Sequence, residues 1–221
     1  MAKKTTGEIG FTRVTAGPEG TTVELISTDL PSNKEELEFY FCQRFIDAFN
    51  ATRPLGPTVS IESPEQMDTS DLDFRIKCAA ADYIEEAELN PRSEEFGRTA
   101  HRTGKLNVYE YAKWIYMRVI KKKMLKYGTD LSGRVILLLY VTHWQFLPSQ
   151  SVIDCVRAII AKDGCTFAAV FLLLTDGKEL KVTEQLHPFN GLLPHKPAAY
   201  KGITLTNLEP GNISWKVPMT E

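Results

Sequence analysis

The chain has 221 residues, of which 43% are hydrophobic and 24% are charged, a composition typical of a globular protein with a sizeable core. Its formal net charge of −2 argues against a protein that coats nucleic acid along its whole surface, although a local basic face remains possible. The longest apolar run, residues 135–141, is too short to span a bilayer, and no secretory signal is visible at the N-terminus. We therefore expect a cytoplasmic protein without a membrane segment.

The first third of the chain predicts one short strand, one long helix and a second short strand. Residues 1–31 form a polar lead-in with a strand at 22–26. Ser32 followed by Glu35 is a capping-box pattern, which predicts a helix that runs to about residue 51. Proline and glycine in the segment ATRPLGP end that helix, and residues 58–62 alternate as a strand.

Residues 71–89, DLDFRIKCAAADYIEEAEL, predict a β-hairpin that carries several carboxylates. Its first strand points one set of side chains to one face (Leu72, Phe74, Ile76 and Cys78) and another set to the opposite face (Asp73, Arg75 and Lys77). On the second strand, Ile84, Glu86 and Glu88 share a side. Clustered carboxylates repel one another unless a metal ion or a basic side chain lies between them. The hairpin therefore predicts either a divalent-metal site or a set of ion pairs.

The rest of the chain predicts a second long helix followed by a strand–helix–strand unit. After a polar loop at 90–105, Asn107 is placed to cap a helix that ends at Gly128. Residues 135–141 and 165–174 have the apolar composition of buried strands, and residues 148–161 between them have helical periodicity. Such a crossover is expected to be right-handed and parallel. Two more short strands are expected near 203–205 and 213–217.

Together these elements predict an α/β fold with a mixed central β-sheet flanked by helices. We expect a single domain over residues 1–221, with a core at about 32–175, an N-terminal lead-in at 1–31 and a C-terminal extension at 176–221.

The element order and the acidic hairpin resemble the restriction-endonuclease-like PD-(D/E)XK superfamily over residues 35–174. In that family an aspartate opens the second core strand, a Glu-x-Lys follows on the third, and a glutamate of the first helix often joins them. Asp73 matches the aspartate and Glu86, thirteen residues later, matches the glutamate. Glu38 is the best match for the helix glutamate, because it heads the apolar stripe of the first helix.

The resemblance implies a metal-dependent nuclease that hydrolyses DNA phosphodiesters. The expected cofactor is Mg²⁺, with Glu38, Asp73, Glu86 and Glu88 as the candidate ligands. The family's lysine is missing, because Glu88 stands two residues after Glu86. Lys77, on the face of Asp73, is the first candidate to replace it, and Lys113 is a weaker one.

Four other points remain open. The charged side chains of the hairpin could form a cross-strand ladder on a half-solvated sheet, and the chain would then be an inactive nuclease-fold protein that serves as a binding or assembly module. Basic residues near the end of the second helix could contact DNA or only complement the helix dipole (Arg118, Lys121, Lys122, Lys123 and Lys126). A protein partner is also possible, and His143, after a buried strand, could be an acid–base group or a structural residue.

Overall fold

The structure is a computed structural model, and it describes residues 9–17, 20–28, 30–51, 61–67, 72–78, 81–91, 107–128, 130–143, 146–174 and 182–187. The strands are β1 (Ile9–Gly17), β2 (Gly20–Thr28), β3 (Glu62–Gln66), β4 (Phe74–Lys77), β5 (Tyr83–Glu88), β6 (Val135–Tyr140), β7 (Ala169–Leu174) and β8 (Val182–His187). The helices are α1 (Lys34–Ala51), α2 and α3 (Gln150–Asp163). Helix α2 runs through three consecutive segments, α-helical at Val108–Trp114, π-helical at Ile115–Ile120 and α-helical at Lys121–Tyr127.

Six strands form one mixed sheet in the order β3-β4-β5-β6-β7-β8. Strands β3, β4 and β5 pair in antiparallel fashion, β5, β6 and β7 are parallel neighbours, and β8 returns antiparallel to β7. Strands β1 and β2 form a separate antiparallel hairpin. The prediction of a mixed sheet in an α/β fold is therefore confirmed.

Helices cover the six-stranded sheet on both faces. Helix α1 packs its apolar stripe against one face, where Phe41 stacks on Tyr140 of β6 with ring centroids 4.3 Å apart. Helices α2 and α3 pack against the other face, around Leu137 and Leu139. Because β6 lies between two helical layers, all six of its residues are buried, which explains its uninterrupted apolar sequence.

The observed bounds of several elements differ slightly from those that the sequence predicts. Helix α1 begins one residue later than the capping pattern suggests, because the side-chain oxygen of Asn33 accepts the N–H of Glu35 (3.2 Å) in the place expected for Ser32. The strand predicted at 22–26 is part of the longer β2, and β1 and β8 were not predicted. The strand predicted at 58–62 gives way to β3, which begins at Glu62.

Other predicted elements lie outside the described residues. These are the polar loop over most of 90–105 and the strands near 203–205 and 213–217. Among the described helices, none is long and apolar enough to cross a membrane.

Both ends of helix α2 carry the caps that the sequence predicts. The Asn107 side chain accepts hydrogen bonds from the N–H groups of Tyr109 (2.9 Å) and Glu110 (3.4 Å). At the other end, Gly128 has a φ of 61°, in the left-handed region that glycine occupies without steric cost.

Loss of the Asn107 cap is expected to destabilise the fold. The substitution Asn107→Ala removes the acceptor for two helix N–H groups and should lower the free energy of unfolding by about 1 kcal/mol. Asn107→Asp keeps an acceptor oxygen and is the matched control. Urea denaturation of the three proteins measures the difference, and equal midpoints for Asn107→Ala and the native chain would contradict the assigned cap.

Candidate functional site

The site lies on the edge of β5 where its pairing with β4 stops. The two strands pair only through Phe74 with Ile84 and Arg75 with Tyr83, so the following residues of β5 extend past the paired part of β4. Asp73 directly precedes β4, and its Oδ2 accepts the backbone N–H of Glu86 at 2.7 Å. The structure therefore brings together Asp73 and Glu86, the two residues that the resemblance places at the centre of the site.

The Glu86 carboxylate is buried without a partner. The residue is 3% exposed, and neither of its carboxylate oxygens accepts a hydrogen bond from a described residue. Burial raises the pKa of Glu86 well above its ordinary value, and the negative charges of Asp73, Glu38 and Glu85 raise it further. A buried carboxylate without hydrogen bonds is costly, so this group is poised to take up a proton or a cation.

Glu38 approaches the same cluster from helix α1. It is buried on the stripe that the sequence predicts, and its Oε1 lies 3.0 Å from the ammonium of Lys34 one turn earlier. Burial raises the pKa of Glu38, the hydrogen bond from Lys34 opposes that rise, and the charge of Asp73 adds to it. Glu38 and Asp73 are thus close enough to repel each other.

A fourth carboxylate, Glu85, faces the α2 side of the sheet. It is 1% exposed, and one of its oxygens accepts a hydrogen bond from the ammonium of Lys123 while the other has no partner among the described residues. Burial raises the pKa of Glu85, and the negative charge of Asp73 raises it further. The ion pair with Lys123 opposes both effects. Sequence reasoning missed Glu85 and gave Lys123 only a surface role.

Lys123 also contacts the backbone of β5. Its ammonium donates to the carbonyl oxygen of Glu86 at 3.3 Å. The N–H and the C=O of one strand residue point to the same edge, so Asp73 and Lys123 occupy the edge of β5 where the backbone of β4 would otherwise pair. The two side chains therefore converge on Glu86 from one side.

The position of Lys123 depends on the π-helical segment of α2. Pairs of buried residues recur every four positions along this helix, at Tyr111 and Ala112, Ile115 and Tyr116, and Val119 and Ile120. In a regular α-helix each four-residue step would turn the buried face by about 40°. The π turns, closed by the N–H of Lys121 on the carbonyl of Tyr116, hold more residues and keep the series on one face. Lys123 comes next in that series, which is the signal that could have identified it.

Of the other candidate residues, Lys77 and Lys113 lie away from the cluster, and Glu88 lies beside it but is already hydrogen-bonded. The side chain of Lys77 is 85% exposed at the far end of β4, with its ammonium 3.7 Å from Glu62, so the structure does not bring it to Asp73. Lys113 is exposed on α2. Glu88 accepts hydrogen bonds from the hydroxyl of Thr142 and from Asn90 (3.5 Å). The burial of Glu86 does not fit a half-solvated charge ladder.

His143 follows β6 and packs its ring 5.6 Å from that of Phe146. Its carbonyl accepts the N–H of Phe146 at 2.9 Å, a contact that shapes the loop. His143 therefore has a structural contact in the described part of the chain.

The charges around Glu86 do not balance. Four carboxylates (Glu38, Asp73, Glu85 and Glu86) interact with two ammonium groups (Lys34 and Lys123). When all four carboxylates are ionised, two further positive charges would restore neutrality, which corresponds to one divalent cation. Within the described ranges, no three His, Cys, Asp or Glu side chains are arranged so that they could hold a metal ion together.

The chain matches no protein-family model, no curated protein and no solved structure.

Removal of the buried charge should change how stability depends on pH. The folded-state pKa of Glu86 is raised, so between its ordinary value of about 4.3 and the raised value the folded state holds a proton that the unfolded state has released. The free energy of unfolding of the native chain should therefore fall as pH rises through this window. Glu86→Gln cannot ionise, and its stability should fall less.

Denaturation with urea at pH 5 and pH 7.5, in the presence of a chelator, measures the difference. Glu65→Gln is the matched control because it removes an exposed carboxylate. Identical pH profiles for the native chain and Glu86→Gln would contradict the account of a buried, unpaired carboxylate.

Proposed function

We propose that this protein is a divalent-metal-dependent nuclease with a restriction-endonuclease-like core, which hydrolyses DNA phosphodiesters at the carboxylate cluster around Glu86. The observation that carries the proposal is the Glu86 carboxylate, buried with both oxygens unpartnered among the described residues and held beside Asp73 and Glu38. Perturbed carboxylates of this kind occur preferentially at functional sites.

The order of elements supports the restriction-endonuclease-like core. A helix (α1), three antiparallel strands (β3, β4 and β5), a second helix (α2) and a strand parallel to β5 (β6) follow one another. Asp73 stands at the start of the middle antiparallel strand, Glu86 lies on the third, and Glu38 lies on the first helix. These are the positions that the resemblance assigns to its acidic residues.

The chemistry of the donor atoms suits a hard cation such as Mg²⁺, although the described carboxylates are not arranged as a three-residue metal site. Asp73, Glu86 and Glu38 supply carboxylate oxygens, the ligands that Mg²⁺ prefers, and a divalent ion would offset the excess negative charge. When bound, such an ion supplies an activated water and stabilises charge on the phosphate. Glu86 has two uncommitted oxygens for this purpose, whereas Glu88 is already engaged by Thr142.

Lys123 is the residue that best replaces the missing family lysine. Its ammonium lies against Glu85 and the carbonyl of Glu86, on the same strand edge as Asp73. A cation at this point can orient a water molecule and stabilise negative charge on a phosphoryl oxygen. We therefore assign to Lys123 the role that the sequence suggested for Lys77.

A second candidate function is a binding or assembly module that uses the same fold without catalysis. Glu88 occupies the position of the family lysine, and the described carboxylates do not form a ready three-residue metal site. In this alternative Lys123 only neutralises a buried carboxylate.

Cleavage of plasmid and linear duplex DNA with Mg²⁺ or Mn²⁺ tests the nuclease proposal. Asp73→Ala and Glu86→Gln should each lower the rate by roughly 100-fold or more, since each removes a ligand of the ion. Lys77→Ala should retain the native rate, because Lys77 pairs with Glu62 away from the cluster. Equal rates for the native chain, Asp73→Ala and Glu86→Gln would favour the binding module.

The role of Lys123 needs a variant that stays folded. Lys123→Met alone leaves Glu85 buried without its partner, whereas the double variant Glu85→Gln/Lys123→Met removes both charges together. We expect the double variant to bind the ion but to cleave roughly 100-fold more slowly. A native cleavage rate in the folded double variant would exclude Lys123 from the reaction.

A further inference from the structure

The C-terminal half of α2 concentrates positive charge in a chain whose net charge is −2. Residues 118–126, RVIKKKMLK, contain five basic side chains and no acidic one. Lys123 turns inward to Glu85, and Lys126 lies over the ring of Tyr127 at 5.0 Å. Arg118 and Lys122 are exposed and Lys121 is partly exposed, and none of these three forms an ion pair within the described part of the chain.

The helix dipole does not account for these three cations. Its effect is confined to the last turn, where Lys126 is the basic residue. Glu110 is the one acidic residue in 108–127 and stands eight positions before Arg118, beyond the reach of an i,i+4 pair. The three charges thus repel one another without local compensation, and a polyanion would relieve that repulsion.

The neighbouring side chains favour the backbone of a double helix as the partner. Proteins that bind single strands stack bases on aromatic side chains, and residues 117–126 contain no aromatic residue. A membrane surface would require an apolar face, but the apolar stripe of α2 is packed against the sheet. Met117 and Leu125 are exposed singly and do not form such a stripe.

We propose that Arg118, Lys121 and Lys122 form a phosphate-binding surface for duplex DNA, the substrate of the proposed nuclease. The proposal rests on the proposed function for its second part only. Lys121 and Lys122 precede Lys123 in the same helical turn, and Lys123 is held against Glu85 and the backbone of Glu86. Helix α2 therefore joins the surface to the side of the sheet on which Glu85 lies, whereas Glu38 lies on the opposite face.

Fluorescence anisotropy with a labelled 20-base-pair duplex, in the presence of a chelator, tests the surface without cleavage. The native chain should bind with an affinity that falls with salt at a logarithmic slope of about −3, as expected for three phosphate contacts. The triple variant Arg118→Ala/Lys121→Ala/Lys122→Ala should bind at least 10-fold more weakly and with a flatter slope. Its matched control is Arg75→Ala/Lys77→Ala/Lys162→Ala, which loses three exposed cations outside α2 and should bind nearly as the native chain does.

Several outcomes would overturn the proposal. These are an equal loss in both triple variants, tighter binding of a single strand of the same length, and binding to phosphatidylserine vesicles without binding to the duplex. Urea denaturation of both triple variants tests whether weaker binding is caused by loss of the fold.

The Glu86→Gln variant separates this proposal from the nuclease proposal. Duplex binding by the native chain and by Glu86→Gln, without cleavage by either in Mg²⁺, would support the surface and reject the nuclease. Native cleavage by the Arg118→Ala/Lys121→Ala/Lys122→Ala variant would reject the surface alone.

Discussion

The hydrogen bonding of Glu86 on the open edge of β5 is the constraint on which the site depends. Strand β4 is too short to pair with β5 beyond Ile84, and the backbone of Glu86 still requires partners because it lies in a buried region. The carboxylate of Asp73 and the ammonium of Lys123 supply them. A requirement of the backbone therefore places one acidic and one basic side chain beside a buried glutamate.

The helices that cover the sheet bury further negative charge around Glu86. Helix α1 buries Glu38 on one face of the sheet, and α2 covers Glu85 of β5 on the other. Buried carboxylates therefore lie on both faces of the sheet at β5. Lys34 and Lys123 neutralise part of the charge. Burial, and then the remaining negative charge, raise the pKa of Glu86 and should lower stability at neutral pH, a cost that proteins commonly bear where a site needs it for function.

Sequence patterns predict the parts of this molecule that depend on local interactions. The alternation of Phe74 and Ile76, the Asn107 cap and the apolar composition of β6 each reflect a regular element, and the structure has all three. The association of Asp73 with Glu86 follows from the resemblance, which matches them to the aspartate and the glutamate of one site. The mixed α/β sheet is observed, whereas its assignment to a restriction-endonuclease-like core stays a proposal.

The lysine that contacts Glu86, Lys123, could not be identified from the alternation of residues along a strand. Lys77 shares a face with Asp73, but it lies four positions further along β4 and pairs with Glu62. Lys123 is 37 residues from Glu86 along the chain, and it reaches β5 only because π turns alter the phase of α2. Such a phase change depends on how the helix packs on the sheet, which a helical pattern of 3.6 residues per turn does not capture.

Calorimetric titration with Mn²⁺ at pH 7, in two buffers of different ionisation enthalpy, tests the central claim most directly. Metal ligands must be deprotonated, so the native chain should bind the ion and release a proton as Glu86 ionises. Glu86→Gln should bind much more weakly and release fewer protons. Absence of binding by the native chain, or equal binding and equal proton release by both proteins, would contradict a cation site at Glu86.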